Sequence, residues 1–309
     1  MRVGIWGDGF IGGGIANELD TQGVDAVILK RNASTSGRKN SREMAFSSTE
    51  DAMAETMADL TTFVHCAGSA IDHYDEYRDA TLRMGRAAVR AGVKRVIMVS
   101  TVAVYGSALP ALGLAGPVEI RKSLAPLPRT DYAASRFRTE IEMRGLLTSN
   151  VVEFIVVRIP MAIGPGMNAT VLHKLFMLLR AHVFPRFSAH TAVLPCVGIQ
   201  RLSSCLAWLA CDQGAKLPLY QFADSIAWQD IIAVFAETFG VKVVNIRMPG
   251  SAVLAILNVL GIERPATTVR SLMNTAWYED DSHQVLGVAG RYPEATVASM
   301  VSAVRCLQR

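Results

Sequence analysis

The chain alternates short apolar runs with longer stretches in which apolar residues return every three or four positions. Arg2 to Trp6 is the first run, Ile15, Ala16 and Leu19 then fall at helical spacing as far as Gly23, and Ala26 to Leu29 is a second run. That order predicts strand, glycine turn, helix and strand, a βαβ unit. A weaker segment through Phe46 precedes a helix over Glu50 to Ala58, and Thr62 to Cys66 reads as a strand ending in Ala67 and Gly68. A helix over about Tyr74 to Ala91, closed by Gly92, leads into a strand at Arg95 to Ser100. A further helix from Tyr132 to about Leu147 precedes a strand at Val151 to Val157. Alternation of this kind predicts an α/β fold, a doubly wound parallel sheet with crossovers on both faces.

Beyond Pro160 the alternation loosens. Val171 to Arg180 and Trp228 to Phe239 (stopped by Gly240) have helical spacing, Leu217 to Phe222 suits one more parallel strand, and the chain from about 250 onward is mostly helical in pattern. Ser107 to Arg129, rich in Pro and Gly, reads as a loop over the site. The expected organisation is a nucleotide domain over 1–160, completed by about 192–226. A smaller, mostly helical C-terminal substrate domain would be built from 161–191 and 227–309.

Half of the 309 residues are hydrophobic and 19% are charged, so a large core forms and disorder is not expected. The net charge is +4 with Lys and Arg scattered, and aromatics make up 7%. A nucleic-acid surface needs a basic stripe interleaved with aromatics, so none is expected. The five cysteines lack CxxC spacing and the six histidines lack an HxxxH pair, which argues against a disulfide framework and against a metal. The apolar stretch Ala252 to Ile262 is too short to span a bilayer. Met1 is followed at once by a strand, leaving no room for a signal peptide. A cytoplasmic protein is expected.

Gly7, Gly9 and Gly12 form GxGxxG after a strand and at the start of a helix, with Phe10 and Ile11 between the last two. The first glycine allows a tight turn, the second a close approach of backbone to a pyrophosphate, and the third helix against strand. Free N–H groups and a positive dipole at the helix start favour phosphate. An NAD site usually ends its second strand in Asp or Glu, but here the strand ends Leu29-Lys30-Arg31. A basic pair suits a 2′-phosphate, which favours NADP over NAD. Read blandly, Lys30 and Arg31 are only a solvated strand end. Tyr132 and Arg136 lie four apart on one helix face, so a cation stands beside a phenol, with Ser100-Thr101 about thirty residues upstream.

In order along the chain stand Gly9-Phe10-Ile11-Gly12, Val64-His65-Cys66-Ala67-Gly68, Val93-Lys94-Arg95-Val96-Ile97-Met98-Val99-Ser100-Thr101 and Val104-Tyr105-Gly106. Then follow Asp131-Tyr132-Ala133-Ala134-Ser135-Arg136, Arg158, Gly164-Pro165-Gly166 and a late Val285-Leu286-Gly287. With these the chain resembles the extended short-chain dehydrogenase/reductases, the NAD-dependent epimerases and dehydratases that act largely on nucleotide sugars. The resemblance implies that Tyr132 is the acid or base, that Thr101 holds the reacting oxygen, and that Arg136 stands where lysine normally contacts the nicotinamide ribose. It also implies that Ala67, Gly68, Ser100 and Pro160 lie along the cofactor. Members commonly pair as homodimers through helices of the kind at Arg78 to Ala91 and Tyr132 to Leu147.

Five positions depart from the family pattern: Arg136 for lysine, Met161 and Ile163 for polar residues near substrate, Arg201 for an aspartate, and Trp6 for a glycine. Arginine keeps the charge, yet its planar fork does not reproduce a compact ammonium and delivers no proton. The expected function is an NADP-dependent oxidoreductase or epimerase acting on a nucleotide-activated sugar or a similar polyhydroxy keto substrate. The alternatives are a reductase of a more apolar ketone, suggested by Met161 and Ile163, and an NADP-binding scaffold or sensor with impaired turnover, suggested by Arg136.

Overall fold

The structure is a computed structural model of the whole chain. It describes residues 1–31, 40–68, 73–106, 118–167, 183–186, 192–212, 214, 216–240, 242, 244–247, 253, 276–287 and 300–302. Strand β1 (Arg2–Trp6), helix α1 (Phe10–Thr21) and strand β2 (Asp25–Lys30) form the opening βαβ unit. Next come β3 (Ser41–Glu43), α2 (Glu50–Met57), β4 (Thr62–His65), α3 (Tyr74–Arg90) and β5 (Arg95–Thr101). A 3₁₀ turn at Val102–Tyr105 and a short strand β6 (Val118–Ile120) lead to α4 (Asp131–Ser149) and β7 (Glu153–Ile159).

The later elements are β8 (Met161–Ile163), β9 (Val183–Arg186), β10 (Val193–Gly198), α5 (Ile199–Cys211), β11 (Leu219–Gln221) and β12 (Asp224–Ala227). Helix α6 (Trp228–Phe239), β13 (Val244–Arg247), β14 (Ala276–Tyr278) and α7 (Ser282–Leu286) complete the described elements. The helix predicted over Val171 to Arg180, the loop at 107–117 and most of the chain beyond 250 lie outside the described residues.

Seven parallel strands form the main sheet in the order β11-β7-β5-β4-β1-β2-β3. Val3 to Trp6 and Thr62 to His65 are buried without a break, as strands covered on both faces must be. One face carries α1 and α5 over Ile5, Ile15, Leu19, Val64, Leu202 and Leu206. The other carries α2, α3 and α4 over Leu29, Phe63, Met84, Val96, Met143 and Val156. Helix starts follow local chemistry: Thr49 and Thr130 accept the Ala52 and Ala133 amides at the caps of α2 and α4.

The chain runs outward from β1 through β2 to β3, then returns to β4 and proceeds the other way. The strand order therefore reverses between β1 and β4, and their carboxyl ends flank a crevice. Two expectations shift. The strand expected from Val151 starts at Glu153, because α4 continues to Ser149 and Val151 belongs to its closing turn. Part of the expected loop is strand, since Val118–Ile120 pairs in parallel with Ala276–Tyr278. No helix among the described residues is long and apolar enough to cross a membrane.

Candidate active site

The crevice between β1 and β4 holds a cavity of about 680 Å³. Gly7, Asp8 and Gly9 line it from the turn after β1, Lys30 and Arg31 from the end of β2, and Ala67 and Gly68 from the end of β4. The glycines divide the labour. A Cβ on Gly12 would collide with the Gly7 carbonyl, and one on Gly7 (φ +108°) would press on Ala67, so these two serve close packing of the turn. A Cβ on Gly9 would meet nothing within 4 Å. That open space lies at the start of α1, whose N-cap Gly9 offers no side-chain acceptor to the first amides. The cradle fits a diphosphate. Phe10 and Ile11, in the first turn of α1, pack on the core beneath it.

At the other side of the turn, Lys30 is not a solvated strand end. Its side chain is 3% exposed and its ammonium lies 3.3 Å from the Asp8 carboxylate, which is half exposed. Arg31 is exposed at the rim. Trp6, at the end of β1, also borders the cavity. It is buried, its indole N–H donates to the Met44 carbonyl (2.9 Å), and its ring stacks on His65 at 4.8 Å.

The acid/base candidates gather at the carboxyl end of β5 and the start of α4, which pack on one another. Thr101 Oγ1 accepts the Ala103 amide (3.1 Å), which leaves its own proton to donate. Tyr132 is half-buried, with its ring 6.2 Å from that of Tyr74. Arg136 is buried, 5.4 Å from the Tyr132 ring and 3.7 Å from that of Tyr77. Its Nη2 donates to the Gly68 carbonyl at 3.5 Å, joining this helix to the cavity wall. Pro160 is buried just after β7.

Ser100 ends β5 beside Thr101. Its hydroxyl is buried and donates to Glu140. Glu140 also accepts from Arg158 Nε and Nη2, and Arg158 Nη1 donates to the Tyr105 hydroxyl at 2.8 Å. This buried network was missed in the sequence, although Tyr132, Arg136 and Glu140 recur at four-residue steps on one helix face, a readable signal. Tyr77 was missed as well, and nothing in its spacing separates it from ordinary core.

His65 lies between Trp6 and Tyr77. The Thr81 hydroxyl donates to the Tyr77 carbonyl (2.7 Å), so it accepts from His65 Nε2 at 3.0 Å. Burial, with the nearby Arg136 charge, pushes the imidazole down to about 3, and it is neutral. Burial likewise pushes the Cys66 thiol up to about 12, which leaves it unreactive. Two further departures resolve. Ile163 is fully buried and lines no open wall. Arg201 is buried against Asp224, Asp280 and the Ser282 hydroxyl, so the inverted charge has its own carboxylates. No cluster of metal-ligating side chains is found among the described residues.

A protein-family model described as the NAD dependent epimerase/dehydratase family matches residues 5–185. The chain belongs to that family, and is therefore an NAD(P)-dependent enzyme of the epimerase/dehydratase kind. No curated protein matches it in sequence. Among solved structures it is similar to MoeE5 in complex with UDP-glucose and NAD, at 18% identity over 100% of both chains with a TM-score of 0.71. It is also similar to the UDP-glucuronic acid 4-epimerase of Bacillus cereus in complex with NAD (12% identity, 100% of both chains, TM-score 0.73). The UDP-glucose 4-epimerase of Thermotoga maritima, solved with UDP-glucose, is similar at 14% identity over 100% of both chains, TM-score 0.73. At these identities the likeness is one of fold.

Proposed function

We propose that the chain is an NADP-dependent oxidoreductase or epimerase acting on a nucleotide-activated sugar, in a reducing cytoplasm that keeps its cysteines as thiols. The observation that carries this reading is the Arg136 contact with the Gly68 carbonyl. It joins the helix bearing Tyr132 to the wall of the cavity that begins at the glycine turn. Phosphate cradle and phenol then belong to one site.

When bound, the nicotinamide supplies the hydride acceptor or donor. The chain's own groups do the rest. The first amides of α1 and the open side of Gly9 hold the diphosphate. Lys30 and Arg31 hold a 2′-phosphate, with Asp8 swinging outward to release the ammonium. Tyr132 passes a proton to or from the substrate oxygen, and Thr101 donates a hydrogen bond to the same atom. Arg136 keeps a positive charge beside the phenol and cannot itself move a proton. Residues 161–191 and 227–309 form the substrate domain of this reading, and the nucleotide sugars named with the similar structures support the choice of substrate class.

Fluorescence titration with NADPH and NADH tests the cofactor. NADPH should bind at least tenfold tighter, and Lys30→Ala with Arg31→Ala should erase the difference. Tighter binding of NADH overturns the NADP assignment, and binding of neither overturns the whole reading. Turnover of UDP-sugars should fall by about 10²–10⁴ in Tyr132→Phe, the usual worth of a positioned proton carrier.

A further inference from the structure

We propose that Tyr77 is a positioning residue whose ring face, backed by His65 and Trp6, holds the Arg136 guanidinium in place beside Tyr132. This rests on the functional reading above and concerns how arginine serves as the cation of the site. Arg136 is 7% exposed. Among the described residues it has no carboxylate partner; it donates one long hydrogen bond to the Gly68 carbonyl and lies beside the Tyr77 hydroxyl. A buried cation normally needs compensation. Here the compensation is aromatic: the guanidinium carbon lies 3.7 Å from the centre of the Tyr77 ring.

The support behind that ring is continuous. The His65 ring covers the Tyr77 ring at 5.5 Å and 19°, and Trp6 covers His65 at 4.8 Å and 26°. The Trp6 indole is fixed by the Met44 carbonyl, and His65 by the Thr81 hydroxyl. Gly68 belongs to the same arrangement. A Cβ there would come within 2.6 Å of the Tyr77 ring and 3.0 Å of Arg136 Nη2.

A planar, weakly hydrated guanidinium stacks on such a platform, whereas a compact ammonium does not. The choice of partner also matters for the field. A carboxylate would fix Arg136 but cancel its charge at Tyr132, while a ring face fixes it and leaves the charge standing. Tyr77 stays a neutral ring, since burial pushes its phenol upward and Arg136 only partly offsets this. Its buried hydroxyl, beside Thr81 and Arg136, makes no well-formed hydrogen bond, so the ring face is the main hold.

The test separates the two halves of the crevice. NADPH reaches the Arg136 end, while adenosine 2′,5′-bisphosphate fills only the adenosine end; NADH and ADP form the parallel pair. Tyr77→Met should weaken the full nucleotide about tenfold, the equivalent of about 1.4 kcal/mol, and the half ligand less than about twofold. Tyr77→Phe, which keeps the ring, should stay within about threefold. In an Arg136→Ala background, Tyr77→Met should add less than about twofold, because nothing remains to be positioned. Equal weakening of both ligands, no weakening of either, or an undiminished effect without Arg136 overturns the proposal. The same cycle run as urea unfolding reads the stack with no ligand present, and additive losses there overturn it also. Wild-type protein that binds neither nucleotide instead removes the functional reading. Tyr77→Leu replaces the Met variant if that does not fold.

Discussion

Val151 adopts φ +59° while almost wholly exposed, at 94%. It is the residue after the last turn of α4, where the Val152 amide returns to the Leu147 carbonyl at 3.0 Å and the closing residue must be left-handed. A β-branched side chain there costs about 1–2 kcal/mol, and with no packing to lose, Val151→Gly removes that strain at a smaller entropic cost. The expected outcome is a gain of about 0.5–1 kcal/mol in denaturant unfolding; a loss would mean the valine is packed after all. The glycines give a paired prediction. Gly12→Ala drives a methyl into the Gly7 carbonyl, so it should lower the melting temperature with or without nucleotide. Gly9→Ala faces open space, so it should leave the ligand-free melting temperature within about 1 °C while weakening NADPH in titration.

Arg201, on α5, ties that helix to Asp224 on β12 and to Asp280 and Ser282 before and within α7. Asp224 is 1% exposed and Asp280 scarcely more, so Arg201→Ala leaves two carboxylates buried without their cation. Removal of one partner from such a cluster typically costs about 3–5 kcal/mol, and a calorimetric melting temperature should show the loss. The elements that bear this clamp also show what was legible. The βαβ order, the glycine turn and helices α3, α4 and α6 could be read because apolar spacing and Gly or Thr punctuation act over a few residues. Arg201 could be singled out as odd, yet not partnered, since Asp280 lies 79 residues away. The pairing of β6 with β14 was illegible for the same reason: each segment is three residues long and meets its partner only through the tertiary fold. At the site, Tyr132, Thr101 and Arg136 carried local signals, whereas Tyr77 and the bond from Ser100 to Glu140 are consequences of packing.

Across the whole molecule, the stacked rings of Trp6, His65 and Tyr77 join β1, β4 and α3, and Arg136 ties them to α4. Stability of the sheet and order of the site therefore pass through one neutral imidazole. His65 has a folded value near 3 against an ordinary 6.5, because its burial and Arg136 oppose a second cation. An unfolded chain takes up that proton once the pH drops below about 6.5, while the folded chain resists it down to about 3. Its stabilising contribution is thus complete above the unfolded value and declines as acid is added through this window, by about 1.4 kcal/mol per pH unit. Between about pH 7.5 and about pH 5 the decline from this group amounts to roughly 2 kcal/mol. His65→Phe keeps an aromatic ring between Trp6 and Tyr77 but takes up no proton. Urea unfolding at the two pH values should show a smaller acid loss in that variant by about this amount. An equal acid loss in both proteins would mean that His65 is charged in the fold, and the neutral stack beneath the cavity would have to be abandoned.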